Sequence, residues 1–138
     1  MNDKEATKVE PARWGGWRPE AEIFRFGFST WDVNRAKKIL LAKRKLELHS
    51  ISVQALKPLS GLMGIDWNRV KKDIALPPEE QTIDLRVPLI VVVTKDGALP
   101  IDGWHRIGKA ILNGTPALPA VILSKIDEKR VRISGPTY

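Results

Sequence analysis

Between Val87 and Ala110 the chain reads as a strand, a turn, a returning strand and a helix in direct succession, and this run constrains the fold more than any other. Val87-Pro-Leu-Ile-Val-Val-Val-Thr94 is apolar on both alternating faces and rich in β-branched residues, the pattern of a central strand buried on both sides. Pro88 fits near its start, where a missing N–H is tolerated. Lys95-Asp96-Gly97-Ala98 is a turn, and Leu99-Pro100-Ile101 is a short returning strand. His105 to Asn113 forms a helix ended by Gly114. A glycine turn that leads from a strand into a helix opening with His105 and Arg106 is a way to hold an anion. Free backbone N–H groups and the helix dipole favour negative charge, and the arginine adds a fork of donors.

On a helical wheel Ile107, Ala110 and Ile111 share the face that packs on the sheet. His105 and Lys109 lie one turn apart on the opposite side, with Arg106 and Asn113 beside them. Cations in a first helical turn oppose the dipole, and a bound anion resolves that conflict. Gly103, His105, Arg106 and Lys109 are therefore candidate phosphate contacts. Asp102 has two readings. As a helix cap it satisfies free N–H groups, a contribution of about 1 kcal/mol. As a functional carboxylate it orients His105 or helps hold a metal. His105 is a candidate catalytic or ligand-binding group, with a structural hydrogen bond as the alternative. Trp104 is expected to pack against or shield the site rather than stack on a base, and His49 belongs to no constellation.

Elsewhere, Phe24, Phe26 and Phe28 alternate with Arg25 and Gly27, which indicates a strand with one buried face. Thr30 or Asp32 can cap a helix from Val33 to about Lys45. Its Arg35, Lys37, Lys38, Lys43, Arg44 and Lys45 make either a solvated face or a DNA-binding face. Leu46 to Leu56 is ambiguous, with Ile51 and Val53 favouring a strand that ends near Lys57-Pro58. Asp66 reads as the cap of a helix carrying Trp67, Val70 and Ile74 on one side, with Arg69 and Lys72 one turn apart, and Pro77-Pro78 stops it. Leu118 to Leu123 is a further strand, and Lys129 to Ile133 reads as an edge strand protected by its charges.

The chain has 138 residues, enough for one domain with one core. It has no cysteine, which removes disulfides, thiolate metal sites and thiol chemistry, and fits a cytoplasmic protein. No apolar run approaches the ~20 residues that span a bilayer, and Met1 to Glu10 lacks an apolar signal segment. The net charge of +7 favours polyanionic partners such as nucleic acid or nucleotides. No phosphate-binding G-x-x-x-x-G-K-[ST] loop, H-E-x-x-H pair or G-x-S-x-G turn is present.

The order of these pieces from Leu48 to Ile133 resembles the ParB/sulfiredoxin superfamily. Ile51-Ser-Val-Gln-Ala-Leu56 is similar to its first strand, Asp66 to Ala75 to the helix that follows, and Val87 to Val93 to its central strand. Asp102-Gly-Trp-His-Arg106 resembles its glycine-X-His/Arg-Arg signature, Ala110 stands at the alanine of the next turn, and Leu118 to Leu123 looks like the strand beyond. The resemblance implies binding of ATP, ADP or CTP, with Gly103, His105 and Arg106 on the phosphates and Arg69 and Lys72 assisting from the preceding helix. Trp104 stands where sulfiredoxins carry their cysteine, so sulfinic-acid reduction is not expected. The partitioning branch continues into DNA-binding and dimerisation regions, whereas this chain stops at Tyr138. What remains resembles the stand-alone ParB-like domains, some of which are linked to plasmid or phage DNA and described as nucleases or ATPases.

The expected architecture is a single α/β (α+β) domain, a mixed sheet packed by about three helices. Residues 1–20 read as a flexible arm bearing Trp14 and Trp17, residues 21–47 as a strand–helix extension, and residues 48–138 as the ParB/sulfiredoxin-like domain; the N-terminal extension is basic on balance. The expected function is a nucleotide-binding protein acting on or near DNA, as a phosphohydrolase (nuclease or NTPase) assisted by Mg²⁺ or Mn²⁺. The alternatives are a non-catalytic DNA-binding regulator of a plasmid or phage, and a small-molecule kinase of the same fold.

Overall fold

The computed structural model describes residues 22–135. Trp14 and Trp17, expected on the N-terminal arm, lie outside the described residues. The chain opens with a hairpin of β1 (Ile23–Phe26) and β2 (Ser29–Asp32), joined by Gly27-Phe28 with Gly27 at φ 60°. The phenylalanine alternation therefore stops at Phe26. Phe28 stands at the hairpin tip, 93% exposed, rather than on the buried face. Across the hairpin Phe24 pairs with Trp31, their ring centroids 6.3 Å apart. Asp32 caps α1 (Val33–Leu41), accepting from the Arg35 N–H. Helix α1 stops four residues short of Lys45, so Lys43, Arg44 and Lys45 lie in the loop beyond it.

Strand β3 covers Leu48–Ser52. The expected continuation of this strand to Leu56 does not form. Ser52 caps a helix, α2 (Val53–Ser60), accepting from the Ala55 N–H, and Val53, Leu56 and Ser60 are buried at helical spacing. Helix α3 (Trp67–Ala75) follows, capped by Asp66. Then come β4 (Leu89–Thr94), β5 (Gly97–Asp102), α4 (Trp104–Asn113) and β6 (Ala117–Ile122). The stretch expected as an edge strand from Lys129 is mostly helix: α5 (Lys125–Val131) precedes a short β7 (Arg132–Ser134).

The fold class is the expected mixed α/β, but its strands form two sheets and its helices number five among the described residues. One sheet has the order β1-β2-β7 and is antiparallel; the other runs β3-β6-β4-β5. In the second, β4 pairs parallel with β6 and antiparallel with β5. A parallel pair needs a crossover, and α4 supplies it. Leu89 to Val92 are buried on both faces of β4, as its continuous apolar run requires. Helix α4 packs on α2 and α3, while α1 packs on α5. Gly108 permits the close approach of α4 to α3. A Cβ there would sit 3.1 Å from Ile65 Cγ2 and 3.3 Å from Trp67 Cζ3.

Candidate functional site

The β5–α4 junction opens onto a cavity of about 580 Å³. Gly103, Trp104, His105, Arg106 and Asp102 line it from below, and Arg69 lines it from α3. Sequence reasoning did not find the rest of its wall, which comes from the 82–87 loop, from Glu22, and from Lys37 on α1.

Gly103 occupies the N-cap position of α4 at φ 108°, a left-handed conformation that only glycine adopts at little cost. A Cβ would overlap the Leu89 Cδ2 methyl and lie 2.8 Å from Arg106 Nη2. No side chain caps the helix, and the residues of its first turn, Trp104, His105 and Arg106, line the cavity. The cap role considered for Asp102 is not the one it takes. Its Oδ2 accepts from Arg106 Nη2 at 2.7 Å, and no hydrogen bond joins it to His105 among the described residues.

Arg106 is a clamp within the fold before it is anything else. Besides the Asp102 pair, its Nη1 donates at 3.1 Å to the carbonyls of both Val87 and Pro88. Three of the five guanidinium donors thus tie the first turn of α4 to the start of β4 and the end of β5. Arg106 lines the cavity as expected of a phosphate contact, but most of its fork is committed to these internal partners.

Lys109 departs further from expectation. Its ammonium donates to Asp73 Oδ2 at 2.8 Å, Gln81 Oε1 at 2.7 Å and the Ile83 carbonyl at 2.6 Å. All three donors of an ammonium are then used, and the side chain is buried away from the cavity wall. It is a core residue and not a phosphate contact. Burial alone would raise the Asp73 carboxyl, but the hydrogen bond from Lys109 and the N–H groups of Thr82 and Ile83 outweigh it and hold the group below the ordinary range. A sequence signal for Asp73 exists: it follows Val70 by three positions, on the buried side of α3. Lys72, on the same helix, is exposed and does not line the cavity.

What remains for a ligand is Arg69 and His105. Arg69 is exposed and makes no side-chain ion pair among the described residues. His105 Nε2 accepts from the Asp66 N–H at 3.2 Å, which leaves the ring proton on Nδ1. Burial and the Arg69 charge push the His105 pKa down, against a smaller opposing pull from Asp66. The imidazole is thus neutral at pH 7 and offers its Nδ1–H as a donor. The other lining cations are matched. Lys37 faces Glu22 at 3.3 Å, and Arg86 grips Asp84 through two bonds of 3.0 and 2.9 Å. Trp104 is buried and donates its indole N–H to the Pro100 carbonyl at 2.8 Å, so it walls the cavity without filling it.

The basic stretch 35–45 is not one face. Lys37 turns to the cavity, Lys43 pairs with Asp127 at 3.0 Å, and Arg35, Lys38, Arg44 and Lys45 are exposed. Among the described residues no three His, Asp or Glu side chains are grouped to hold a metal ion, and no helix is long and apolar enough to cross a membrane. No family model, curated protein or solved structure matches the chain.

Proposed function

We propose that the 580 Å³ cavity binds the phosphate group of a nucleotide. Its volume lies in the range of small-molecule sites, roughly 300–1,000 Å³. The observation that carries this reading is the uncapped N-terminus of α4 opening between Arg69 and His105. The first-turn N–H groups supply donors and about half a positive charge. Arg69 is the one lining cation without a carboxylate partner among the described residues, and the neutral His105 adds a donor. The resemblance of Gly103-Trp-His-Arg106 to the phosphate turn of the ParB/sulfiredoxin superfamily points the same way, with ATP or CTP as the ligand it implies.

Titrating ATP, CTP, ADP and inorganic phosphate into the purified chain by calorimetry tests the reading. Losing a charge-assisted contact worth about 1.5–3 kcal/mol weakens binding roughly ten- to a hundredfold, and this is the expected effect of Arg69→Ala. Absence of binding by the wild type, or equal binding by Arg69→Ala, overturns it. Nucleotide-hydrolysis and nuclease assays with and without Mg²⁺ or Mn²⁺ then separate a phosphohydrolase, in which His105 and Asp102 are the candidate catalytic groups, from a binder. Turnover that requires an added hydroxyl compound marks the kinase alternative. A second reading, nucleic-acid binding, is favoured by the net charge of +7.

A further inference from the structure

Six cations lie on α5 and on the loop after α1, two segments joined through Asp127. Asp127 is buried, and its two oxygens face two cations from different segments: Oδ2 lies 3.0 Å from Lys43 Nζ and Oδ1 lies 3.5 Å from Arg130 Nη1. Arg44 and Lys45 continue the loop, Lys125 and Lys129 lie on the same short helix as Arg130, and all four are exposed. The neighbouring Glu128 is taken inward, accepting from Trp31 Nε1 at 2.8 Å and lying 3.2 Å from Arg132 Nε. Two of these six cations are paired with the one carboxylate of Asp127, and the other four are exposed on the same two segments. Neither the 580 Å³ cavity nor the one beside the β1–β2 hairpin is lined by any of the six. Like charges crowded on an open surface repel one another, and an extended polyanion lying across them relieves that repulsion.

We propose that Lys43, Arg44, Lys45, Lys125, Lys129 and Arg130 form a surface for the phosphate backbone of a nucleic-acid duplex. The proposal deepens the nucleic-acid reading and is independent of the cavity. A duplex fits better than an anionic membrane. It presents about one charge per 1.7 Å of axis, and Lys43 and Arg130 are held at fixed positions by Asp127 rather than trailing as a flexible basic tail.

The test is fluorescence anisotropy of the full chain with a labelled duplex of arbitrary sequence, from 50 to 200 mM salt. Engagement of four or five phosphates gives a log–log salt slope of about −4, since each contributes roughly −0.9. Arg44→Gln, Lys45→Gln and Lys129→Gln together leave the Asp127 pairs intact and are expected to bring the slope to about −1 to −2. The matched control is Lys57→Gln, Lys71→Gln and Lys72→Gln, exposed positions on α2 and α3. It removes the same charge and leaves the slope nearly unchanged. No duplex binding by the wild type overturns the nucleic-acid reading itself. Binding that both triple variants weaken equally keeps that reading and overturns this surface. Retention on phosphatidylserine vesicles in preference to the duplex overturns the choice of partner.

Discussion

Replacing Lys109 by methionine separates a phosphate-binding lysine from a core lysine. The ammonium makes three bonds of 2.6–2.8 Å, and its partner Asp73 is as deeply buried as it is. Removing one member of such a pair leaves the other charge uncompensated, at a cost of about 3–5 kcal/mol. For a domain of this size each kcal/mol lowers Tm by roughly 3–5 °C, so Lys109→Met should melt about 10–20 °C below the wild type. Urea unfolding followed by far-UV circular dichroism measures the free energy directly. Adding Asp73→Asn removes the orphaned charge and is expected to restore more than half of the loss. The effect also has a pH signature. The folded wild type holds Asp73 below its ordinary pKa, so this stabilisation is complete above about pH 4 and is lost as the pH falls through the depressed value. Without Lys109 the carboxyl rises, so the gap between variant and wild type narrows on acidification. A loss of under ~1 kcal/mol, or a loss of phosphate binding at unchanged stability, would refute the assignment of Lys109 to the core.

Gly103→Ala meets both a left-handed backbone and the Leu89 methyl. A destabilisation of about 2–4 kcal/mol follows from the strain and the overlap, read from the urea midpoint. Because the folded His105 pKa lies below its ordinary value of 6.5, the unfolded chain binds the extra proton, and stability falls as the pH drops through that range. Tm measured at pH 7.5 and 5.5 should show that drop in the wild type and a flatter profile in His105→Gln. Trp31→Phe removes the indole donor from Glu128 but leaves Arg132 in place, so a cost of about 1–2 kcal/mol is expected by the same unfolding assay.

The central strand, the β4–β5 turn, α4 and β6 were legible because their signals agree: an apolar run of β-branched residues, a glycine turn, and helical spacing ended by Gly114. Two helices were not. Around the start of α2 the sequence satisfies both periods: Ile51 and Val53 alternate, while the buried positions Val53, Leu56 and Ser60 repeat at helical spacing. The serine cap at Ser52 decides between them, and Lys57-Pro58 concealed it by looking like the end of a strand. In α5 the amphipathic pattern is inverted. Asp127 and Glu128 face inward and Ile126 is 74% exposed, because Lys43, Arg130, Trp31 and Arg132 make the acids' burial tolerable. A hydropathy period cannot find a helix that buries its carboxylates. Its caps could have done so, since Ser124 precedes acids in the first turn and bases in the last.

The same limit governs the site. Cations in the first turns of α4 looked unmatched because their counter-charges come from elsewhere. Asp102 lies just outside the helix, and Asp73 is 36 residues from Lys109 in sequence. Spacing along one helix reveals which side chains share a face; it does not reveal which of them are already paired across the fold. Once Arg106 and Lys109 are assigned to internal carboxylates, the conflict with the helix dipole disappears without any guest. The case for a phosphate then rests on the groups left over, and these are fewer and differently placed: the first-turn N–H groups, the His105 Nδ1–H, and Arg69, which reaches the cavity from a separate helix. Arg69 lies 34 residues before Gly103. Its approach depends on α3 packing against α4 at Gly108, so the integrity of the site is tied to that helix contact as much as to the turn itself.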